Sequence, residues 1–473
     1  MTIASILQKI ISFAYFTVVA RFIGVTNTGQ YFFAIAFTTI FGVIADFGLG
    51  PVLTREAAKH PENSQNYAST ILVTRLGFGF LAYFLVVISV YVLNYSTNLK
   101  LLICLSGITM FFDNLQTSFY SIFRAYRNLR YESFGMVASQ FITLIIGTVA
   151  IFNHAPLYWL IIAYTIPSML NMIFGAACVR YILNVHFTFS WDKNLSWHFL
   201  RLAFPFALAG FIGRLYSYAD SVLMSKMLGP EHLGWWSVPY KITFAFQFIP
   251  TALTASIYPA MSALAEKNRT KVTDLFTKSW RYLFLLVLPL ACGISALAHP
   301  IIIRLYGVNF EPSILILRFL LVSLIFTFLS FVNGSLLNAL DRQKTQTALI
   351  ALALTCNVLL NLYLLPLFGV KGAAISALVA SFILWLTGYI AVSRTIVINH
   401  GALAKIFLRT IWPAIVTAIP LYIFASTVNF VVLMVVAIPL YGMLVWVSGG
   451  ITNEDISLFY QKMFNRSPQI TTI

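Results

Sequence analysis

Charge is scarce in this sequence. Of 473 residues only 9% are charged, and just 14 are acidic, whereas a soluble domain carries about 25% charged residues. That excludes an ordinary water-soluble globule. Cysteine is scarce too. Cys104, Cys178, Cys292 and Cys356 all fall inside apolar runs, where thiols pack as small hydrophobes, and they offer neither a disulfide framework nor a metal-ligand spacing. The histidines, at 60, 154, 186, 198, 232, 299 and 400, form no cluster. No GxxxxGK[ST] phosphate loop occurs, and no segment between apolar runs could fold as a nucleotide-binding domain. An ATP-driven motor within this chain is excluded with them. No small-residue cleavage site follows the first apolar run, so it reads as a span and not as a signal peptide.

What is present is apolar length. Sixty per cent of the residues are hydrophobic, and runs of roughly 20 residues, enough to cross a bilayer, recur from end to end. The pattern predicts an all-α polytopic membrane protein with fourteen spans, over 3–22, 30–52, 68–93, 99–122, 133–153, 156–179, 202–226, 233–260, 282–303, 313–338, 347–366, 370–393, 410–427 and 430–448. The connecting segments alternate in charge. Those at 55–67, 123–132, 180–201, 261–281, 339–346, 394–409 and from 449 onward hold twenty of the thirty Lys and Arg residues, and the opposite set holds Arg21, Lys100, Lys226, Arg304 and Lys371. Short basic loops stay in the cytoplasm, which predicts a multi-pass inner-membrane protein with both termini cytoplasmic. The net charge of +16 then reflects loops facing anionic lipid and calls for no nucleic acid.

The chain echoes itself. In "FIGVTNTGQYFFAIAFTTIF" (22–41) and "MLGPEHLGWWSVPYKITFAF" (227–246) a span ends in a glycine turn, aromatics follow, and a long span begins. Gly24 and Gly29 align with Gly229 and Gly234, 205 positions on. Six spans separate the copies, so they share one orientation, as parallel repeats do. The expected organisation is an N-terminal half (1–200, spans 1–6), a second half (201–394, spans 7–12) and two extra helices with a tail (395–473).

Ionisable residues inside spans are costly, which makes function their default reading. Five cations, Lys9, Arg75, Arg214, Lys241 and Arg318, and three anions, Asp46, Asp113 and Asp220, lie there. Depth along the helices, at about 1.5 Å per residue, puts Lys9, Asp46 and Arg75 near one level towards the cytoplasmic side. The plain alternative is neutralisation: Asp46 with Arg75 or Lys9, and Asp220 with Lys241, as pairs that only hold helices together. Lys9 and Arg318 could also snorkel to an interface. Two positive charges remain in surplus. Arg214 is the mid-span cation with no anion at its level, and Asp220 lies about 240° around the same helix. Arg214, with Lys9, Arg75 and Lys241, is therefore the candidate site for an anionic substrate, since arginine binds phosphate bidentately and stays charged in a partly dry site. Asp46, Asp220 and Asp113 are candidates for H+ or Na+ coupling or for charge pairing. Asp113 sits with Asn114 and Gln116 on what reads as either a wet face or a helix–helix contact. Tyr216, Tyr218, Trp235, Trp236 and Tyr240 could line the cavity, although Trp235 and Trp236 read first as an interfacial belt. Pro205, Pro239, Pro250 and Pro259, with Gly210 and Gly213, mark spans 7 and 8 as bent.

The span-2 ending "ADFGLGPVLTREAAK" and the passage "GRLYSYADSVLMSKMLGPEHLGWWSVPYKI" at 213–242, set in fourteen spans with two similar halves, resemble the Wzx-type oligosaccharide-lipid flippases. These are polysaccharide transporters of the multidrug/oligosaccharidyl-lipid/polysaccharide exporter superfamily. The resemblance covers essentially the whole chain. It implies a V-shaped bundle with a central cavity between helices 1–6 and 7–12. It implies flipping of polyprenyl-diphosphate-linked glycan to the outer leaflet, with cavity cations holding the diphosphate. Asp46, Arg214 and Asp220 stand at the matching passages. Polysaccharide assembly proteins are implied partners, and no cofactor is. The family usually carries a short segment before span 1, and this chain starts almost inside that span, so an N-terminal truncation would fit.

Four other readings compete. A lipid II flippase would share the architecture and the cationic lumen. A multidrug antiporter would favour acidic cavity residues, whereas here cations outnumber anions. A glycan polymerase or ligase would carry a large outer loop with catalytic Arg or His, and no such loop is present. A purely structural scaffold fits poorly with charged spans.

Overall fold

The computed structural model describes residues 2–185, 187, 191–265 and 267–450. Most of the tail expected after 449 lies outside that range, as do His186 and the 188–190 part of one basic loop. The described residues form sixteen α-helices: α1 (Thr2–Asp46), α2 (Leu49–Lys59), α3 (Ser64–Val92), α4 (Thr97–Ala125), α5 (Arg130–Phe152), α6 (Tyr158–Ile182), α7 (Lys193–Met227), α8 (Pro230–Phe246), α9 (Phe248–Ala265), α10 (Arg269–Ala296), α11 (Ala298–Tyr306), α12 (Ser313–Ala339), α13 (Gln343–Phe368), α14 (Val370–Ser393), α15 (His400–Ile423) and α16 (Phe430–Val447). Thirteen helical segments are long and apolar enough to cross a membrane. The first carries two of the expected spans, because α1 runs through a kink at Gly24 (φ 76°, ψ 176°). Counted so, all fourteen spans are present, and the protein is an all-helical polytopic membrane protein.

Several helices extend into segments that read as loops. Residues 55–59 continue α2, where Arg55 and Glu56 form an ion pair at 2.8 Å. Helices α7, α10 and α15 begin 9, 13 and 10 residues before their expected spans, at Lys193, Arg269 and His400. Each starts behind a side-chain cap. The Asp192 carboxylate accepts from the Asn194 and Leu195 amides, Asn268 from Lys271, and Asn399 from Ala402. Capped amides let a helix begin in the headgroup region, before its apolar stretch. The long basic side chains of these first turns can keep their charges in water.

Breaks divide two spans. Span 2 turns at Phe47 and Gly48, which both have positive φ (44° and 69°). Gly48 is also a close approach: a Cβ there would lie 2.8 Å from the Ala203 carbonyl oxygen and 2.9 Å from the Ala207 nitrogen of α7. Span 8 is broken at Gln247 into α8 and α9. Pro250 within the first turn of α9 removes an amide donor where helices have orphan donors anyway.

The repeat is visible in the backbone. Gly229 precedes α8 with φ 89°, ψ −177°, nearly the geometry of Gly24. The glycines that follow each make the same contact with the other copy. Gly29 meets the Pro230 carbonyl, and Gly234 meets the Val25 carbonyl, each so closely that a Cβ would collide. Shifting 25 and 29 by 205 positions gives 230 and 234, so the two contacts exchange under the repeat. This is the signature of a pseudo-two-fold axis passing between α1 and α8. Helix α1 is central, packing on α3, α4, α5, α7 and α8, and α15 packs on α10 and α16.

Candidate functional site

A cavity of about 570 Å³ opens between α1, α2, α4, α6 and α7. Its polar lining includes Asp46, Asp113, Thr117, Arg124 and Arg214. A second cavity of about 280 Å³ lies among α7, α8, α12, α13 and α14. Helix α7 borders both. Arg214 faces the first, while Gly213, Ser217 and Asp220 face the second.

The charged residues divide between paired and unpaired. Arg75 is fully buried. Its guanidinium bonds the Asp46 carboxylate and donates to the Asn114 carbonyl (3.1 Å), Thr117 Oγ1 (2.6 Å) and Ser118 Oγ (2.9 Å). That fork fastens α3 to the end of α1 and to α4. Arg75 therefore does not present its charge to the cavity, and Asp46, with 38% of its side chain exposed, is the half of the pair that does. Arg214 is exposed within the cavity and makes no ion pair among the described residues. It lies beside the Tyr218 hydroxyl.

Lys9 and Lys241 line neither cavity. They straddle the packing of α1 on α8, each over an aromatic ring of the other helix: Lys9 Nζ is 5.8 Å from the Phe244 centroid and Lys241 Nζ 5.4 Å from that of Phe16. Such cation–π contacts let an ammonium sit in apolar surroundings. Arg318 reaches the Ser295 carbonyl at the end of α10 (3.4 Å).

Asp220 does not pair with Lys241. It is buried and accepts two amide hydrogen bonds from α13, from Asn357 Nδ2 (3.0 Å) and Asn361 Nδ2 (2.6 Å). Asp113 is exposed in the first cavity, whereas its neighbour Asn114 is buried and bonds the Gly42 carbonyl (3.1 Å). One turn of α4 thus serves both a wet face and a helix contact. Trp236 corrects the interfacial-belt reading. It is 1% exposed and stacked on Tyr240, because the two repeats pack where a membrane edge was expected. Trp235 donates to the Asn309 carbonyl (3.0 Å).

Two features of the site went unread in the sequence. Arg124 lines the first cavity and pairs with the buried Glu132; both fall in a segment that reads as a basic loop. Asn357 and Asn361 stand four residues apart in an apolar run, so they share a helix face, and that spacing was the available signal.

These features define a class: a helical membrane transport protein with one charged cavity bordered by helices of both repeats and a second, uncharged but for Asp220, lying wholly among α7, α8, α12, α13 and α14 and not between the halves as the resemblance implied. The chain belongs to the polysaccharide biosynthesis protein family, whose model matches residues 1–265; a second model, MatE, matches 205–367. The family is one of transporters, not of enzymes. Among relatives, a probable flippase, AglR, of Haloferax volcanii is 30% identical over 171 residues, spanning 35% of each chain. A putative O-antigen transporter of Shigella flexneri is 26% identical over 76% of this chain and 87% of its own. Among solved structures, the lipid II flippase MurJ in an inward closed conformation superposes with a TM-score of 0.74 at 18% identity, covering 98% of both chains. That likeness is one of fold.

Proposed function

We propose that the protein flips a polyprenyl-diphosphate-linked oligosaccharide across the membrane by alternating access, for surface polysaccharide biosynthesis. The observation that carries this reading is Arg214: an exposed guanidinium inside a membrane cavity, with no carboxylate partner among the described residues. An unpaired cation at that depth costs at least a few kcal/mol. A diphosphate passing through the cavity offsets that cost and matches the planar donor fork. The family match and the flippases among its relatives agree with this cargo.

In this reading the basic loops are cytoplasmic, following the positive-inside rule, and the halves divide near residues 200 and 394, with α15 and α16 appended. Coupling to H+ or Na+ runs through Asp220, because Asp46 is already tied to Arg75. Two asparagine amides and a carboxylate can turn oxygen atoms towards a small cation, or hold a proton between them. Complementation of a strain lacking its glycan flippase tests the role. Arg214→Ala should abolish surface glycan at normal membrane levels of the protein. Full export by that variant would reject it.

A further inference from the structure

The second cavity differs in chemistry from the first. Among the described residues no Lys or Arg lines it, and its one carboxylate, Asp220, is covered by two amides. Its other polar groups are neutral. Gln247 and Gln346 bring carboxamides whose side chains bond no other described residue, so each offers donors and an acceptor. Gly334 makes room for one of them, since a Cβ there would lie 2.7 Å from Gln346 Nε2. Thr327 and Ser330 give their hydroxyl protons to carbonyls one turn back (3.0 and 2.9 Å), which leaves oxygen lone pairs free to accept. On α8 the wall is aromatic, with Tyr240 and Phe244 stacked at 5.8 Å.

The lining discriminates among classes of ligand. A phosphate finds no cation. A cationic drug finds only a carboxylate already bonded. An acyl chain would strip water from two carboxamides and pair neither, which is unfavourable. A sugar ring fits, with hydroxyls for the amides and lone pairs and an apolar face for the aromatic wall. We infer that the second cavity is the glycan subsite, holding the sugars next to the diphosphate while the phosphates sit at Arg214. The inference rests on the flippase reading. Two geometrical facts support it. Gly213 and Arg214 are consecutive, so the subsites adjoin across one residue of α7. The volume, about 280 Å³, is small against the roughly 300–1,000 Å³ of ligand pockets, which suits the reducing-end sugars and not a whole glycan.

The test is flipping by the full chain in proteoliposomes, with two probes: polyprenyl diphosphate bearing a neutral hexose, and bare polyprenyl diphosphate. Gln247→Leu/Gln346→Leu keeps side-chain volume and removes the amides. It should slow the glycosylated probe about 30-fold, the loss of two ordinary hydrogen bonds, and leave the bare probe within about twofold. Ser330→Ala, a smaller change, should give the same selectivity in milder form if the double variant folds poorly. Equal slowing of both probes, or of neither, in both variants overturns the glycan subsite. Wild-type protein that flips neither probe overturns the flippase reading and this inference with it.

Discussion

Arg21 and Lys226, 205 positions apart, hold equivalent places in the two repeats, and each reaches a backbone carbonyl in the other. Arg21 Nη1 donates to the Ile303 carbonyl at 3.3 Å. Lys226 Nζ donates to the Leu93 carbonyl and lies 4.2 Å from the Tyr95 centroid. With the reciprocal Gly29–Pro230 and Gly234–Val25 contacts, they close the end of the bundle opposite the basic loops. A transporter that alternates must open this closure.

Removing both latches should therefore favour the open state. Each contact contributes about 1 kcal/mol, so Arg21→Ala/Lys226→Ala should raise the open fraction by about 30-fold. Spin labels at Asn27 and Glu231, both exposed near the glycine contacts, read it by pulsed electron resonance as growth of a longer distance. An unchanged distribution would show that the contacts are not a latch.

The buried guanidinium of Arg75 predicts a stability effect. Breaking a buried pair from one side costs about 3–5 kcal/mol, and the half-exposed Asp46 puts this one at the low end. Arg75→Met and Asp46→Asn should each lower the melting temperature in detergent. Arg75→Met/Asp46→Asn should lose less than the sum of the two. Strict additivity would mean that the pair carries no coupling.

Span lengths, their number and the glycine echo were legible because apolar length and helix-breaking residues are local properties. Arg214 stood out by its depth, and among the described residues it is the mid-span cation that lines one of the two cavities. Arg75, Lys9 and Lys241 could not be sorted the same way. Depth gives the level of a charge but not its rotation about the bundle, and rotation decided that Arg75 turns to Asp46 while the two lysines turn to rings. Asp220 was read against Lys241, yet its partners Asn357 and Asn361 lie 137 and 141 residues away, and no local pattern joins them. The loop at 55–67 proved partly helical because basic side chains there mask an amphipathic turn.

Glycine supplies a paired prediction on α7 and α2. Gly48→Ala meets both a left-handed backbone, costing about 1–2 kcal/mol, and the Ala203 carbonyl. Gly213→Ala meets nothing within 4 Å. Thermal unfolding should show a clear loss for the first and little change for the second. Equal melting temperatures would contradict the close approach of α2 to α7.

Coupling should depend on Asp220 and not on Asp46. With an imposed H+ or Na+ gradient, Asp220→Asn proteoliposomes should flip at a rate independent of the gradient. Asp46→Asn, once corrected for folded protein, should keep its gradient response. The reverse pattern would place the ion site in the first cavity.

The central claim is that Arg214 holds the diphosphate. Its most direct measurement is the initial flipping rate of polyprenyl-diphosphate-linked glycan by purified protein, with Arg214→Ala and Arg214→Lys beside the wild type and equal folded fractions verified by thermal unfolding. The account predicts loss of at least about 100-fold for alanine, an interaction of about 3 kcal/mol for a buried charged contact, and an intermediate rate for lysine, which keeps the charge but not the bidentate fork. Alanine flipping at the wild-type rate would contradict it.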